Sequence, residues 1–296
     1  MSILASKQRQ FIMISLLIPV LLLLMFVVYP SFELFRISFY KWDGISQSNE
    51  FIGLRNYIKV FTNSPDLWIS LKNNGLYLLV HMLAIPFELA IAVMLNSKMK
   101  GREIVKVIIF LPFIISGVGI SYAFAYFFSP VNGAFNAVLN FLGLGSYIQG
   151  WLSDPKVVNL TLCFVSLWRF SGYHVILFSA GLKSVPNELL EAAEIDGATT
   201  FEKFRYIQLP SMALVIDFVL FDCIRGTLQH FEIPFIMTQG GPGYASSTFT
   251  LYTIDTAFKF YDFGMASTMA VIIMALVVVV YFSEKRLTSK IIGGAK

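Results

Sequence analysis

Two apolar stretches of the chain carry polar and aromatic side chains at the spacing of one helix face. Both sets recur at i, i+3, i+4 and i+7: Ser166, Arg169, Phe170 and Tyr173 in the first stretch, and Cys223, Gly226, Thr227 and His230 in the second. Hydroxyl, guanidinium and imidazole groups beside aromatic rings could hold a polar ligand by hydrogen bonding and stacking. A single Ser, Thr or His in an apolar helix more often bonds to a neighbouring helix, contributing about 0.6 kcal/mol. The residues themselves leave both interpretations open.

Arg169 is the member of these sets whose charge needs a partner. A guanidinium binds carboxylate or phosphate in a bidentate manner, so Arg169 could contact an anionic ligand. It could equally be neutralised by Asp217 or Glu88 within the protein. Asp222 and Arg225 lie three residues apart, and this spacing predicts an ion pair on one helix.

The sequence does not favour an enzyme. It contains no His-Glu-x-x-His and no Gly-x-Ser-x-Gly motif. Its two cysteines, Cys163 and Cys223, fall in separate apolar stretches, so neither a disulfide framework nor a Cys-x-x-Cys metal site is predicted. The roles of His81 and Glu88, a further polar pair in an apolar stretch, stay open.

The composition indicates which elements must position these residues. Of 296 residues, 56% are hydrophobic and 14% charged, against about 25% charged in an average soluble domain. So large an apolar surface needs lipid or a partner to cover it. The basic residues are scattered and form no stripe or tail, which argues against a nucleic-acid-binding protein. The sequence therefore predicts an integral membrane protein.

Membrane-spanning helices need about 20 mostly apolar residues. Six segments meet this requirement: 11–36, 72–96, 104–128, 158–183, 211–236 and 263–283. We expect an all-α integral membrane protein with about six transmembrane helices, forming one transmembrane domain over residues 1–296. The two polar faces then lie on the fourth and fifth spans.

Lysine and arginine residues are unevenly divided between the two sides of this arrangement. Thirteen lie on the side of the N terminus and seven on the other side. Short cytoplasmic loops collect positive charge. Both termini are therefore predicted to be cytoplasmic, together with the loop between the fourth and fifth spans.

That loop, residues 184–210, has the pattern of two short helices. Pro186 suits the first turn of one helix, and Gly197 suits the residue that ends it. Thr199 with Glu202 matches a capping box that opens the second helix, and a proline at the end of the loop is predicted to stop it. By physics alone the loop could dock on a partner or rest on lipid headgroups.

The same loop carries a family signature. Its ordered positions are Glu191, Ala192, Ala193, Asp196, Gly197, Ile207, Leu209 and Pro210, and they resemble the EAA loop of binding-protein-dependent ABC permeases. Segments 51–57 (Phe-Ile-Gly-Leu-Arg-Asn-Tyr) and 238–242 (Thr-Gln-Gly-Gly-Pro) look like the carbohydrate branch of that family, the maltose and glycerol-phosphate type. The resemblance extends over nearly the whole chain.

The resemblance implies a bacterial inner-membrane permease subunit that moves a sugar, either an oligosaccharide or a related carbohydrate. A second homologous permease would complete the pathway, and an external solute-binding protein would deliver the sugar. An ABC ATPase dimer would bind the EAA residues and hold ATP and Mg²⁺, so this chain would need no cofactor of its own and would not be an enzyme. The polar faces of the fourth and fifth spans would line the sugar site.

Two other classes of membrane protein remain as alternatives. A secondary transporter or channel would need no ATPase, and it predicts inverted repeats and broken helices. The sequence shows no sign of either, and this class leaves the EAA loop unexplained. An intramembrane enzyme would need the catalytic motifs that the sequence lacks.

Overall fold

The computed structural model describes residues 2–47, 49–97 and 99–293, with side chains described for residues 11–47, 49–97 and 99–286. Two basic residues of the charge count, Lys98 and Lys296, lie outside the described residues. Helices dominate, as lipid requires, because backbone N–H and C=O groups in a bilayer must be bonded within the protein.

The elements follow one another along the chain without a large sheet. The first half contains α1 (Ser2–Leu23), α2 (Tyr29–Ile37), β1 (Tyr40–Lys41), β2 (Glu50–Phe51), α3 (Arg55–Thr62), α4 (Pro65–Asn96), α5 (Arg102–Ile114), α6 (Gly117–Phe127) and α7 (Ala134–Phe141). The second half contains α8 (Val158–Lys183), α9 (Asn187–Ile195), α10 (Thr200–Lys203), α11 (Leu209–Ser211), α12 (Ala213–Leu228), α13 (Glu232–Thr238), α14 (Phe249–Phe258) and α15 (Phe263–Gly293). The antiparallel strands β1 and β2 pair Tyr40 with Phe51.

The number of spans agrees with the sequence-based prediction. Within the described residues, four helices are long and apolar enough to cross a membrane: Phe11–Ile37, Pro65–Asn96, Val158–Lys183 and Phe263–Arg286. Two bent pairs, Arg102–Ile114 with Gly117–Phe127 and Thr200–Ser211 with Ala213–Thr238, raise this number to six if each pair is one span.

The bends reveal broken helices, of which the sequence showed no sign. The predicted span 104–128 turns by 93° between α5 and α6, because Ile115 and Ser116 adopt extended backbone conformations. The predicted span 211–236 is interrupted as well, since α12 ends at Leu228 and α13 begins only at Glu232. Broken helices are therefore present, and the argument against a secondary transporter from their absence was wrong.

Pro210 does not stop the helix that precedes it. A π-helical turn over Phe204–Gln208 leads into α11, and helical structure continues past Pro210 to Ser211. A proline ring clashes with the carbonyl four residues earlier in a regular α-helix, and a wider turn accommodates it. The same arrangement precedes Pro30, where a π-helical turn covers Leu24–Val28.

The chain divides into two compact units, with boundaries after residues 64, 252 and 272. In the unit of residues up to 64 with 253–272, the Asn56 amide donates to the carbonyl oxygens of Ser38 and Tyr40. In the unit that contains α4 to α13, the most buried side chains include Tyr77, Leu162 and Phe178. The sequence-based expectation of one transmembrane domain over residues 1–296 stays a prediction.

Helices α5 and α8 approach closely at a glycine. A Cβ atom on Gly172 of α8 would overlap the carbonyl oxygen of Ile109 in α5. Small residues commonly allow such contacts between membrane helices. Gly172 thus fixes the distance between the broken span and the helix that carries the first polar face.

We expect Gly172→Ala to lower the stability of the protein by about 1–3 kcal/mol, the usual cost of overpacking a close contact. Thermal unfolding in detergent can be followed with a thiol-reactive dye, because both Cys163 and Cys223 are buried. Gly75→Ala in α4 is the matched control, since a Cβ there meets no atom within 4 Å and alanine favours helix. Equal unfolding temperatures for Gly172→Ala and the wild type would contradict the close contact.

Candidate functional site

A cavity of about 340 Å³ lies among α4, α8, α12 and the start of α13. The two polar faces predicted from the sequence form much of its wall, through Ser166, Arg169, Phe170, Cys223, Gly226, Thr227 and His230. Helix α8 is continuous through its set, so the 3.6-residue period keeps those side chains on one face. His230 lies just beyond the end of α12.

Tyr173 is the predicted site residue that the structure does not bring to the cavity wall. Its ring stacks on Phe113 of α5, with ring centroids 4.5 Å apart and an angle of 11° between the planes. The expectation that Tyr173 and His230 face one cavity is therefore not met. The spacing placed Tyr173 on the correct side of α8, but the neighbouring α5 covers it.

Glu232 is the partner of Arg169, rather than Asp217 or Glu88, the two residues considered from the sequence. The Nη1 atom of Arg169 donates to Oε2 of Glu232 at 2.5 Å, and both side chains line the cavity. The break between α12 and α13 makes Glu232 the first residue of a new helix. Glu232 lies within a predicted span, so a search of the spans for every unpaired charge could have found it.

Gly117, at the start of α6, leaves the space that this ion pair occupies. A Cβ atom on Gly117 would collide with the side chains of Arg169 and Glu232. Three elements, α6, α8 and α13, therefore meet at the pair.

The predicted ion pair between Asp222 and Arg225 is confirmed. The Nη2 atom of Arg225 donates to Oδ1 of Asp222 at 2.7 Å, and both residues line the cavity. This pair is more exposed than the first, with 48% of the Arg225 side chain accessible.

Two buried polar pairs adjoin the cavity, and they account for His81 and Glu88. His81 Nε2 lies 3.0 Å from the hydroxyl of Ser166. His174 Nδ1 lies 2.9 Å from Oε2 of Glu88. Both pairs join α4 to α8, in keeping with the interhelical hydrogen bonds expected of polar groups in membrane helices.

The remaining polar atoms differ in whether they are already bonded. The Thr227 hydroxyl donates to the carbonyl oxygen of Cys223 one turn earlier, at 2.7 Å. By contrast, Nε of Arg169 and Nε2 of His230 are buried and have no hydrogen-bond partner among the described residues. The His230 ring rests on Tyr77, with centroids 4.6 Å apart. These two nitrogen atoms could therefore each form a hydrogen bond with a ligand.

The loop 184–210 has the two-helix form that the sequence predicts. Gly197 adopts a left-handed conformation, with φ of 84°, and the capping box between Thr199 and Glu202 is present. Pro186 is the residue before the first turn instead of part of it, since α9 begins at Asn187. Lys203 donates to Glu194 at 2.9 Å and so ties α10 to α9.

Half of the predicted coupling residues are exposed on this loop. Glu191, Ala192, Asp196 and Gly197 are exposed, whereas Ala193, Ile207, Leu209 and Pro210 are half-buried. Phe201, at the start of α10, is also exposed. The loop therefore presents a carboxylate and apolar side chains that the described residues do not cover.

Residues 8–293 match the family described as binding-protein-dependent transport system inner membrane component. The protein belongs to this family. It is 31% identical over 268 residues to the lactose transport system permease protein LacF of Rhizobium radiobacter, with 89% of each chain covered.

Its fold matches the crystal structure of a bacterial ABC transporter involved in the import of the acidic polysaccharide alginate, with a TM-score of 0.82. The two chains are 21% identical, and the match covers 98% of this chain and 99% of that one. A crystal structure of bacterial alginate ABC transporter in complex with alginate pentasaccharide-bound periplasmic protein matches with a TM-score of 0.81, 21% identity and 97% coverage of both chains.

This permease has one buried network that the sequence analysis missed. Asn74 of α4 donates to the carbonyl oxygens of Thr227 and Leu228 at 2.7 and 3.1 Å and accepts from the backbone N–H of Phe249 at 2.7 Å. Its neighbour Asn73 donates to the carbonyl oxygen of Ser247 at 2.8 Å. The network ties the last turn of α12, next to His230, to the segment before α14. The sequence could have indicated this network, because two adjacent asparagines within a predicted span need hydrogen-bond partners.

Proposed function

We propose that this chain is the permease subunit of an ABC importer that moves a sugar delivered by an external solute-binding protein. The observation that carries the proposal is the polar cavity on the faces of α8 and α12 in a member of this family. The name of the lactose relative supports a sugar as the substrate. The alginate transporter bound to its periplasmic protein supports delivery by a binding protein.

The cavity has the groups that a sugar needs. The rings of Phe170 and Phe231 offer apolar faces, and Gln229 adds an amide. The unpartnered Nε of Arg169 and Nε2 of His230 would gain hydrogen bonds from sugar hydroxyls, because a buried polar atom without a partner costs about 1–3 kcal/mol. The seven lining residues of the two predicted faces are the proposed substrate contacts.

The loop 184–210 is the proposed coupling element. Glu191, Ala192, Ala193, Asp196, Gly197, Ile207, Leu209 and Pro210 would contact an ABC ATPase dimer in the cytoplasm. The ATPase subunits would hold ATP and Mg²⁺, and this chain would have no nucleotide site of its own. A second permease would complete the translocation pathway, and both termini would be cytoplasmic in accordance with the positive charge of that side.

His230→Ala tests the cavity as a sugar site. We expect uptake into proteoliposomes to fall about two- to tenfold, because a lost neutral hydrogen bond to a ligand costs about 0.5–1.5 kcal/mol. Basal ATPase activity should remain, since the loop is untouched. The measurement is binding-protein-dependent uptake by the assembled complex with a panel of labelled sugars.

Tyr173→Phe is the matched control for this experiment. It keeps the ring stacked on Phe113 and removes only the hydroxyl of a residue that is not among those lining the cavity, so uptake should equal that of the wild type. Unchanged uptake in a correctly assembled His230→Ala complex would show that His230 is a packing residue and would contradict the proposed site.

A further inference from the structure

The cavity contains as many acidic as basic side chains, and they are paired. Arg169 bonds to Glu232 at 2.5 Å, and Arg225 bonds to Asp222 at 2.7 Å. All four residues line the cavity. The other lining residues that can titrate are histidines and Cys223. The histidine His174 already contacts a carboxylate, that of Glu88. Among the described residues that line the cavity, both fixed cations, Arg169 and Arg225, are therefore paired.

We propose that this cavity takes uncharged saccharides, and that Glu232 sets this preference by neutralising Arg169. The inference rests on the proposed function and deepens it, since the sequence alone leaves a neutral and an anionic sugar equally open. A neutral sugar needs hydrogen-bond partners and apolar faces but no counter-charge. A uronate, sulfate or phosphate group would need an unpaired cation, which the described residues that line the cavity do not offer.

The geometry of the Arg169–Glu232 pair opposes its rearrangement for an anionic ligand. The Arg169 side chain is 13% exposed and the Glu232 side chain 39% exposed, so water screens the guanidinium less than the carboxylate. Its guanidinium also lies over the ring of Phe170, 5.1 Å from the centroid. An anionic group approaching Arg169 would have to displace the Glu232 carboxylate or lie beside it, and like charges so placed are unfavourable.

The surrounding backbone is shaped for this pair. Gly117 leaves no side chain where Arg169 and Glu232 meet, and the helix break before Glu232 places that residue at the cavity wall. The Nε–H of Arg169 has no partner among the described residues. A sugar hydroxyl can accept a hydrogen bond from Arg169 without adding charge, whereas a carboxylate at the same place would lie beside the Glu232 carboxylate.

The test measures sugar binding to the complete transporter complex in lipid nanodiscs, without the binding protein. The probes are a panel of neutral trisaccharides of glucose, galactose and mannose, and the trisaccharides of the corresponding uronic acids. Saturation-transfer NMR titrations give the affinity of each probe. We expect the wild type to bind a neutral trisaccharide at least about tenfold more tightly than its uronate counterpart.

Glu232→Gln should narrow this ratio by about tenfold, because the glutamine keeps the shape of the side chain and frees the charge of Arg169. Glu232→Asp should leave the ratio near the wild-type value. Glu50→Gln removes the same charge from β2, outside the cavity lining, and is the control for altered surface charge. If Glu232→Gln does not assemble, Asp222→Asn frees the charge of Arg225 and tests whether neutralised cations in the cavity set the preference.

The outcomes separate the inference from the proposed function. Equal wild-type affinity for the neutral and the uronate probes would overturn the inference alone. A ratio of neutral to uronate affinity that is unchanged in the assembled Glu232→Gln complex would also overturn the inference. Where only Asp222→Asn assembles, an unchanged ratio in that variant would overturn it. Binding of no saccharide in the panel would contradict the proposed sugar site and, with it, the preference inferred for it.

Discussion

Glu191→Lys is expected to lower sugar transport by more than about tenfold, because a like charge placed against a basic docking surface costs several kcal/mol. Glu191 is exposed on α9. Its neighbour Glu194 is already bonded to Lys203, whereas Glu191 forms no ion pair among the described residues. The Glu191 carboxylate is therefore available to a basic group of an ATPase subunit. Lysine at this position would repel that group.

The measurement is co-purification of the ATPase subunits with this permease, together with uptake in proteoliposomes. Glu188→Lys makes the same change of charge in the first turn of α9, at another exposed position, and should preserve most of the transport. The isolated binding protein should bind sugar equally well in all cases. Wild-type uptake by Glu191→Lys would show that α9 is not the coupling helix.

Asn74→Leu is expected to destabilise the protein by several kcal/mol. The Asn74 side chain is fully buried, and its amide satisfies two carbonyl oxygens and one backbone N–H. Leucine has a similar size and none of these bonds. Each buried polar group left without a partner costs about 1–3 kcal/mol, so the sum is a large fraction of a typical stability of about 5–15 kcal/mol.

Thermal unfolding of purified variants, followed through the buried Cys163 and Cys223, measures this effect. Asn140→Leu is the matched control, because Asn140 is exposed on α7 and surface substitutions usually change stability by less than about 0.5 kcal/mol. A similar shift for the two variants would mean that the Asn74 network contributes no specific stability. Loss of the network should also affect sugar uptake, since it holds the end of α12 beside His230.

The sequence by itself determined the features that depend on neighbouring residues. The lengths of the apolar segments predicted the transmembrane spans, since a helix must cross a hydrocarbon layer of about 30 Å. Helical periodicity placed Ser166 and Arg169 on one face of α8. Local backbone requirements located the glycine that ends α9 and the Thr199 capping box, because these motifs involve residues within one or two turns of each other.

The tertiary structure decided the partners of those residues. Arg169 pairs with Glu232, 63 residues later in the chain, and Asn74 bonds to Phe249, 175 residues later. Spacing along one helix predicts the face of a side chain but not what another helix places opposite it. Tyr173 shows the consequence, since α5 supplies Phe113 to cover its ring. The charge balance of the cavity arises in the same way, because the turn between α12 and α13 brings a carboxylate to a guanidinium on another helix.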